Sequence, residues 1–220
     1  MTLSVTLIPV TAFQQNCAVI SDPESRRGAV IDPGGDVPRI LAAIEKLGVT
    51  IEQILLTHGH LDHAGGASAL ARALATAQPG RTVPIVGPAA QDRFLLENIA
   101  RQAAAFGLAD MEDVAPDRFL TEGDEVDIAG VPFAVLHCPG HTPGHVVFVD
   151  RANRFAVLGD VLFQGSIGRT DFPYGDHQQL LAAIAEKILP LGDDVHFICG
   201  HGPASHIGAE RRSNPFLQGL

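Results

Sequence analysis

Residues 55–66 read LLTHGHLDHAGG, and no other stretch limits the fold of this chain so sharply. His58, His60, Asp62 and His63 place four metal-binding side chains within six positions, directly after an apolar run. In extended backbone, side chains two apart share a face, so His58 and His60 can grip one ion. Asp62 and His63 follow as the chain turns and aim at a neighbouring point, along a path that Gly59, Gly65 and Gly66 keep open. Two ligands do not complete a centre, because closed or catalytic sites need three or four. The fold must therefore deliver partners from distant segments. His141 lies in CPGHTPGH, a Gly/Pro turn between two strand-like runs; Asp160 ends FAVLGD; His201 ends VHFICGHG. Each stands where a β run meets glycine, so several strand ends must converge at one sheet edge.

The element pattern agrees. SVTLIPV, CAVIS and GAVIDPGG read as short strands. DVPRILAAIEKLG reads as a helix with Asp36 near its start, Pro38 in its first turn and Gly48 at its end. IEQILLT is a buried strand, while ASALARALATA and AQDRFLLENIARQAAAFG are helical by composition and period. DEVDIAG, VPFAVLHCPG, HVVFVD and RFAVLGD are strands, HQQLLAAIAEKIL a late helix and VHFICGHG a last strand. Each half runs from strands into helices, which predicts two sheets packed together with helices outside, in one domain spanning 1–220.

Composition removes several function classes. The net charge of −10, with no Lys/Arg cluster larger than the pairs Arg26-Arg27 and Arg211-Arg212, argues against nucleic acid as a partner. No apolar run approaches the roughly 20 residues needed to span a bilayer. The opening MTLSVTLIPVTAF lacks a basic n-region and a small-residue cleavage pattern, so no secretory signal is expected. Cys17, Cys138 and Cys199 are too few for a disulfide framework, and a reducing cytoplasm is the expected location. His137 flanks a strand, His177 reads as a helix cap, and His196 and His206 read as structural or exposed. Cys138 reads as a small buried hydrophobe, and His145 as either structural or a donor behind the ligands.

The segments THGHLDHAGG, CPGHTPGH, VLGDVLF and CGHG, in this order and spacing, resemble the metallo-β-lactamase fold superfamily over nearly the whole chain. Within it, GDVLFQGSIGRTDFPYGDH and GHGPASHIGAERRSNPF resemble the glyoxalase II (hydroxyacylglutathione hydrolase) group, in its short branch without a C-terminal helical domain. The resemblance implies an α+β αβ/βα sandwich: two mixed sheets face to face, helices outside. It implies one metal on His58, His60 and His141, a second on Asp62, His63 and His201, and Asp160 bridging both with a shared water or hydroxide. The two divalent ions are expected to be zinc, with iron or manganese compatible, since all seven ligands are N/O donors. The implied reaction is hydrolysis of a small-molecule thioester, S-D-lactoylglutathione, with Asp62 and Asp160 positioning the attacking hydroxide. Glutathione's carboxylates call for cations. Arg169, in SIGRTDF, is the first expectation, Arg211 and Arg212 the second. Longer members use their C-terminal helices to hold glutathione, so a more open site that accepts other thioesters is also expected. Three other readings stand beside this one: a persulfide dioxygenase with two histidines and one aspartate on a single iron, a lactonase or other hydrolase of the fold, and a non-catalytic metal-binding module. The fully populated second ligand set favours the hydrolase.

Overall fold

A computed structural model describes residues 3–108 and 111–220. Strands β1 (Ser4–Val10), β2 (Gln15–Ser21) and β3 (Arg27–Ile31) open it as an antiparallel meander. Helix α1 (Val37–Leu47) has Pro38 in its first turn and ends at Gly48, whose left-handed φ of 63° lets its N–H reach the Ile44 and Glu45 carbonyls. Asp36 does not cap it; its carboxylate instead accepts from the Thr11 N–H at 2.7 Å. β4 (Thr50–Leu55) runs parallel to β3 and leads into the single turn α2 (Leu61–Ala64) and then α3 (Ala67–Ala77).

β5 (Ile85–Ala89) is followed by a stretch that the sequence predicts as one helix. It is three pieces: a 3-10 turn at Ala90–Asp92, α4 (Arg93–Leu96) and α5 (Ile99–Ala105). The break falls at Asn98, whose φ of −130° leaves the helical region and whose amide donates to the Phe94 carbonyl, a side-chain bond that competes with the backbone ladder. β6 (Arg118–Leu120) completes a six-stranded sheet in the order β1-β2-β3-β4-β5-β6, antiparallel at one side and parallel at the other.

The second half repeats the plan. β7 (Glu125–Ile128), β8 (Val131–His137), β9 (Val146–Asp150) and β10 (Phe155–Val157) form an antiparallel meander. A small hairpin, β11 (Leu162–Phe163) with β12 (Ser166–Ile167), precedes α6 (His177–Ala183), which is capped by Asp176 rather than His177 and runs on through a π-helical turn at Ile184–Ile188. β13 (His196–Ile198) lies parallel to β10, and β14 (Ser205–His206) leads into α7 (Ile207–Ser213), whose cap is the His206 ring. The second sheet is therefore also mixed, ordered β14-β13-β10-β9-β8-β7.

Alternation along the strands builds the layers. In β2, Ala18 and Ile20 face the other sheet while Cys17 and Val19 join Ile40, Ile44, Leu70 and Leu74 of α1 and α3. In β9, Val146 and Phe148 face the first sheet while Val147 and Val149 pack with Leu180, Ile184 and Ile207 beneath α6 and α7. The α+β sandwich expected from the sequence is thus present: helices, sheet, sheet, helices. Phe133 and Phe148, fully buried between the sheets, stabilise it by roughly 1.5–3 kcal/mol each. The C-terminal ends of β4, β10 and β13 and the β8–β9 connection meet at one edge of the sandwich, which is where the histidines lie.

Candidate metal centre and active-site cavity

Past β4 the chain stays extended through His60 (φ −69°, ψ 148°), so the rings of His58 and His60 meet before α2 turns Asp62 and His63 the other way. His58 Nε2 and His141 Nε2 each lie 3.0 Å from His60 Nδ1. Asp62, His63 and His201 form a second group: His201 Nε2 is 3.2 Å and His63 Nε2 3.9 Å from Asp62 Oδ2. Asp160 stands between the groups, with Oδ1 3.4 Å from His63 Nε2 and Oδ2 3.5 Å from His141 Nε2 and 3.7 Å from His201 Nε2. All seven side chains singled out in the sequence are therefore brought together. The rings of His58, His63 and His141 are buried, whereas His201 keeps a third of its side chain exposed and opens the site to a cavity.

The outer ring atoms settle which nitrogens face inward. His141 Nδ1 lies 2.7 Å from the Arg169 carbonyl, an acceptor only, so it carries the proton and Nε2 is bare. Thr57 Oγ1 gives its proton to Asp32 Oδ2 at 2.6 Å, so it accepts from His58 Nδ1 at 3.0 Å, leaving His58 Nε2 bare. His63 Nδ1 donates to Asp32 Oδ2 at 2.9 Å. A proton on His60 Nδ1 could satisfy only one of the two lone pairs aimed at it. His63 Nε2 and Asp160 Oδ1 are buried with no hydrogen-bond partner at all. Unpartnered buried lone pairs cost about 1–3 kcal/mol each, and a cation would satisfy them together. Ligand atoms about 2.0–2.1 Å from a tetrahedral ion lie about 3.4 Å apart, close to the separations here. The donor set fits two divalent cations.

Electrostatics point the same way. Burial, with the neighbouring His141 next in weight, pushes His60 down to about 3 and pushes His58 and His141 down as well, so the first group is uncharged. Burial opposes charge on His63, but Asp160 and Asp62 outweigh it and hold that ring well above the usual imidazole range. Burial likewise opposes ionisation of Asp160, and His63, His141 and His201 outweigh it, holding the carboxyl far below its ordinary value. The second group thus draws positive charge.

Several positioning residues gave no clear signal in the sequence. Asp32, at the end of β3, accepts from the Thr57 N–H (2.8 Å) as well as from Thr57 Oγ1 and His63. Asp92 is fully buried and accepts from the Gly59 N–H (2.8 Å), the Thr142 hydroxyl (2.7 Å) and the Gly144 N–H (2.6 Å), tying the His58–His63 loop to the His141 loop. Tyr174 OH lies 2.8 Å from His60 Nε2. His145, left open above, accepts from the Asp160 N–H at 3.0 Å and stacks on His58 at 4.7 Å, so it positions Asp160. Asp32 shared the strand-end position of the ligands and could have been found by it; Asp92 lies within a helical pattern and could not. Cys138 is buried as expected.

Above the ligands lies a cavity of about 410 Å³ lined by His60, Asp62, His141, Asp160, His201, Arg169 and several aromatic rings. Arg169 reaches it, but Arg211 and Arg212 do not line it. Arg211 donates to Asp193 Oδ1 at 2.8 Å and to the Leu189 carbonyl at 2.6 Å, neither of which lines the cavity.

A ββ sandwich flanked by helices, with a His/Asp ligand set at its strand ends, defines a metallohydrolase class. Residues 10–201 match the family model described as the metallo-beta-lactamase superfamily, and the chain belongs to that superfamily. It is 48% identical, over 98% of both chains, to the hydroxyacylglutathione hydrolase GloC of Haemophilus influenzae. Among solved structures it is similar to the BLEG-1 B3 metallo-beta-lactamase (TM-score 0.87, 35% identity, 98% of this chain and 100% of that one). It is also similar to TTHA1623 in a di-iron-bound form (TM-score 0.83, 35% identity, 96% and 100%).

Proposed function

We propose that this chain is a metal-dependent hydrolase of acyl-glutathione thioesters, S-D-lactoylglutathione among them. The observation that carries the reading is the convergence of seven side chains, two of them with unpartnered buried atoms and five of them lining one substrate-sized cavity. His58, His60 and His141 would hold one cation, Asp62, His63 and His201 a second, with Asp160 offering an oxygen to each. Bound there, two divalent cations, zinc being well suited to N/O ligands, supply Lewis-acid polarisation of a carbonyl and water acidic enough to act as a nucleophile near neutral pH.

The chain's own residues do the rest. Asp62 and Asp160 balance charge and orient water at the cavity floor. Asp32 takes the Nδ1 proton of His63, and the Arg169 carbonyl that of His141, so each ring has its Nε2 to offer to a cation. A thiolate leaves readily and needs no general acid. No cysteine is poised as a nucleophile: burial pushes the Cys138 and Cys199 thiols up to about 12 and Cys17 well up. Three free buried cysteines suit a reducing compartment such as the cytoplasm, and no described helix is long and apolar enough to cross a membrane.

The test is turnover of S-D-lactoylglutathione by metal-loaded protein, lost on chelation and in His58→Ala and Asp160→Ala variants that remain folded. Full activity in metal-free folded protein contradicts the reading. The likeness to BLEG-1 supports a second reading, β-lactam hydrolysis, and turnover of a chromogenic cephalosporin in place of the thioester would favour it.

A further inference from the structure

The cavity has two aromatic walls. On one, Phe13 of the β1–β2 turn meets Phe106, just beyond α5, edge to face at 6.0 Å. On the other, Phe172 stacks on Tyr174 at 5.3 Å and 11°, and Phe94 lies 5.3 Å behind Tyr174. Six large apolar side chains are exposed among the described residues, and three of them, Phe13, Phe94 and Phe106, stand in or beside this one cavity. Aromatic rings held half in water around a cavity are a surface waiting for an apolar ligand.

Charge is the second observation. Arg169 is the one Lys or Arg among the described lining residues, and it is already engaged. Its Nε and Nη2 each donate to Asp171 at 2.7 Å, and its guanidinium rests 4.4 Å over the Phe172 ring. The whole chain carries −10. A dianionic arm entering here meets no unpaired guanidinium or ammonium.

Resting on the thioester reading above, we infer that the cavity receives the acyl arm of the substrate and selects an apolar one, an aliphatic chain of several carbons or an aromatic ring. The charged groups of the thiol carrier stay in solvent. Phe106 and Phe13 form the aromatic pair that sets this preference, and Phe172 with Tyr174 forms a second.

The chain has no tryptophan and a single tyrosine, Tyr174, which lines the cavity, so intrinsic fluorescence reports binding there without turnover. Metal-loaded enzyme is titrated with S-methylglutathione and S-hexylglutathione, thioethers that cannot be hydrolysed. The hexyl ligand is expected to bind at least about 10-fold tighter, because its extra methylenes leave water. Phe106→Ala, at a residue 65% exposed and outside the core, is expected to narrow that gap to below about threefold. In a second arm, kcat/KM for S-hexanoylglutathione is expected to exceed that for S-D-lactoylglutathione by about 10-fold. Removing the carboxylates, with S-hexanoyl-N-acetylcysteamine, is expected to cost less than about threefold. Equal affinity for hexyl and methyl ligands, a preference for lactoyl, or a large loss on removing the carboxylates overturns the inference. Hexyl-selective binding with no thioester turned over leaves the apolar arm standing and removes the hydrolase reading instead.

Discussion

Aspartate 92 shows how much of this site lies one residue behind the ligands. Its two oxygens take three donors from two loops, and burial still holds its carboxyl above the usual range despite those bonds. Replacing it with alanine leaves buried donors unmet and is expected to destabilise the fold by about 3 kcal/mol in urea titration. A change below 0.5 kcal/mol would contradict its role, since that is the size of an ordinary surface substitution. Tyr174→Phe removes one hydroxyl and keeps the ring on its wall. It is expected to weaken metal retention against a competing chelator by about 10-fold, because the partner that orients His60 is gone. Unchanged retention would show that His60 needs no such partner. The seven ligand candidates were legible because a ligand cluster and three strand-end residues each stood beside glycine. Asp92 and Tyr174 were not, because a lone acid in an amphipathic run and a lone tyrosine carry no spacing signal; only tertiary packing gives them a role.

At the level of elements, short connections aim the ligands. The start of β2 clasps the His201 loop: the Asn16 N–H donates to the Gly200 carbonyl at 2.8 Å, and its side chain donates to the Cys199 and Gly202 carbonyls at 3.1 and 2.8 Å. Gly200 itself has no room for a side chain, since a Cβ there would collide with Asp160 Oδ1 and the His63 ring. Gly200→Ala is therefore expected to displace Asp160 and cut thioester turnover by at least about 10-fold while the far-ultraviolet circular dichroism is kept, in the range that outer partners of ligands command. Wild-type turnover in that variant would mean the Asp160 carboxylate is not held where it is drawn. Strand identity was legible from short β-branched apolar runs between turn residues, as in β9. The helix expected over 90–107 was not legible as three pieces, because composition kept its helical period straight across the Asn98 break. The charge of Arg211 was visible in the sequence, but its partner Asp193, 18 positions away across a loop, was not.

Across the whole molecule, two half-sandwiches each contribute incomplete ligand sets to one edge. The first sheet carries His58, His60, Asp62 and His63; the second carries His141, Asp160 and His201. Cations held between them would tie the halves together, so removing them is expected to lower the thermal midpoint by several degrees, as binding to the folded state alone requires. A midpoint unmoved by exhaustive chelation would mean the halves are held by their apolar interface without help. The central claim, that the seven side chains enclose a pair of cations, is tested most directly by titrating metal-free protein with zinc while following both bound metal and thioester turnover. The account expects two equivalents per chain, with turnover rising to its plateau only as the second is taken up; saturation at one equivalent, with full activity there, would contradict it.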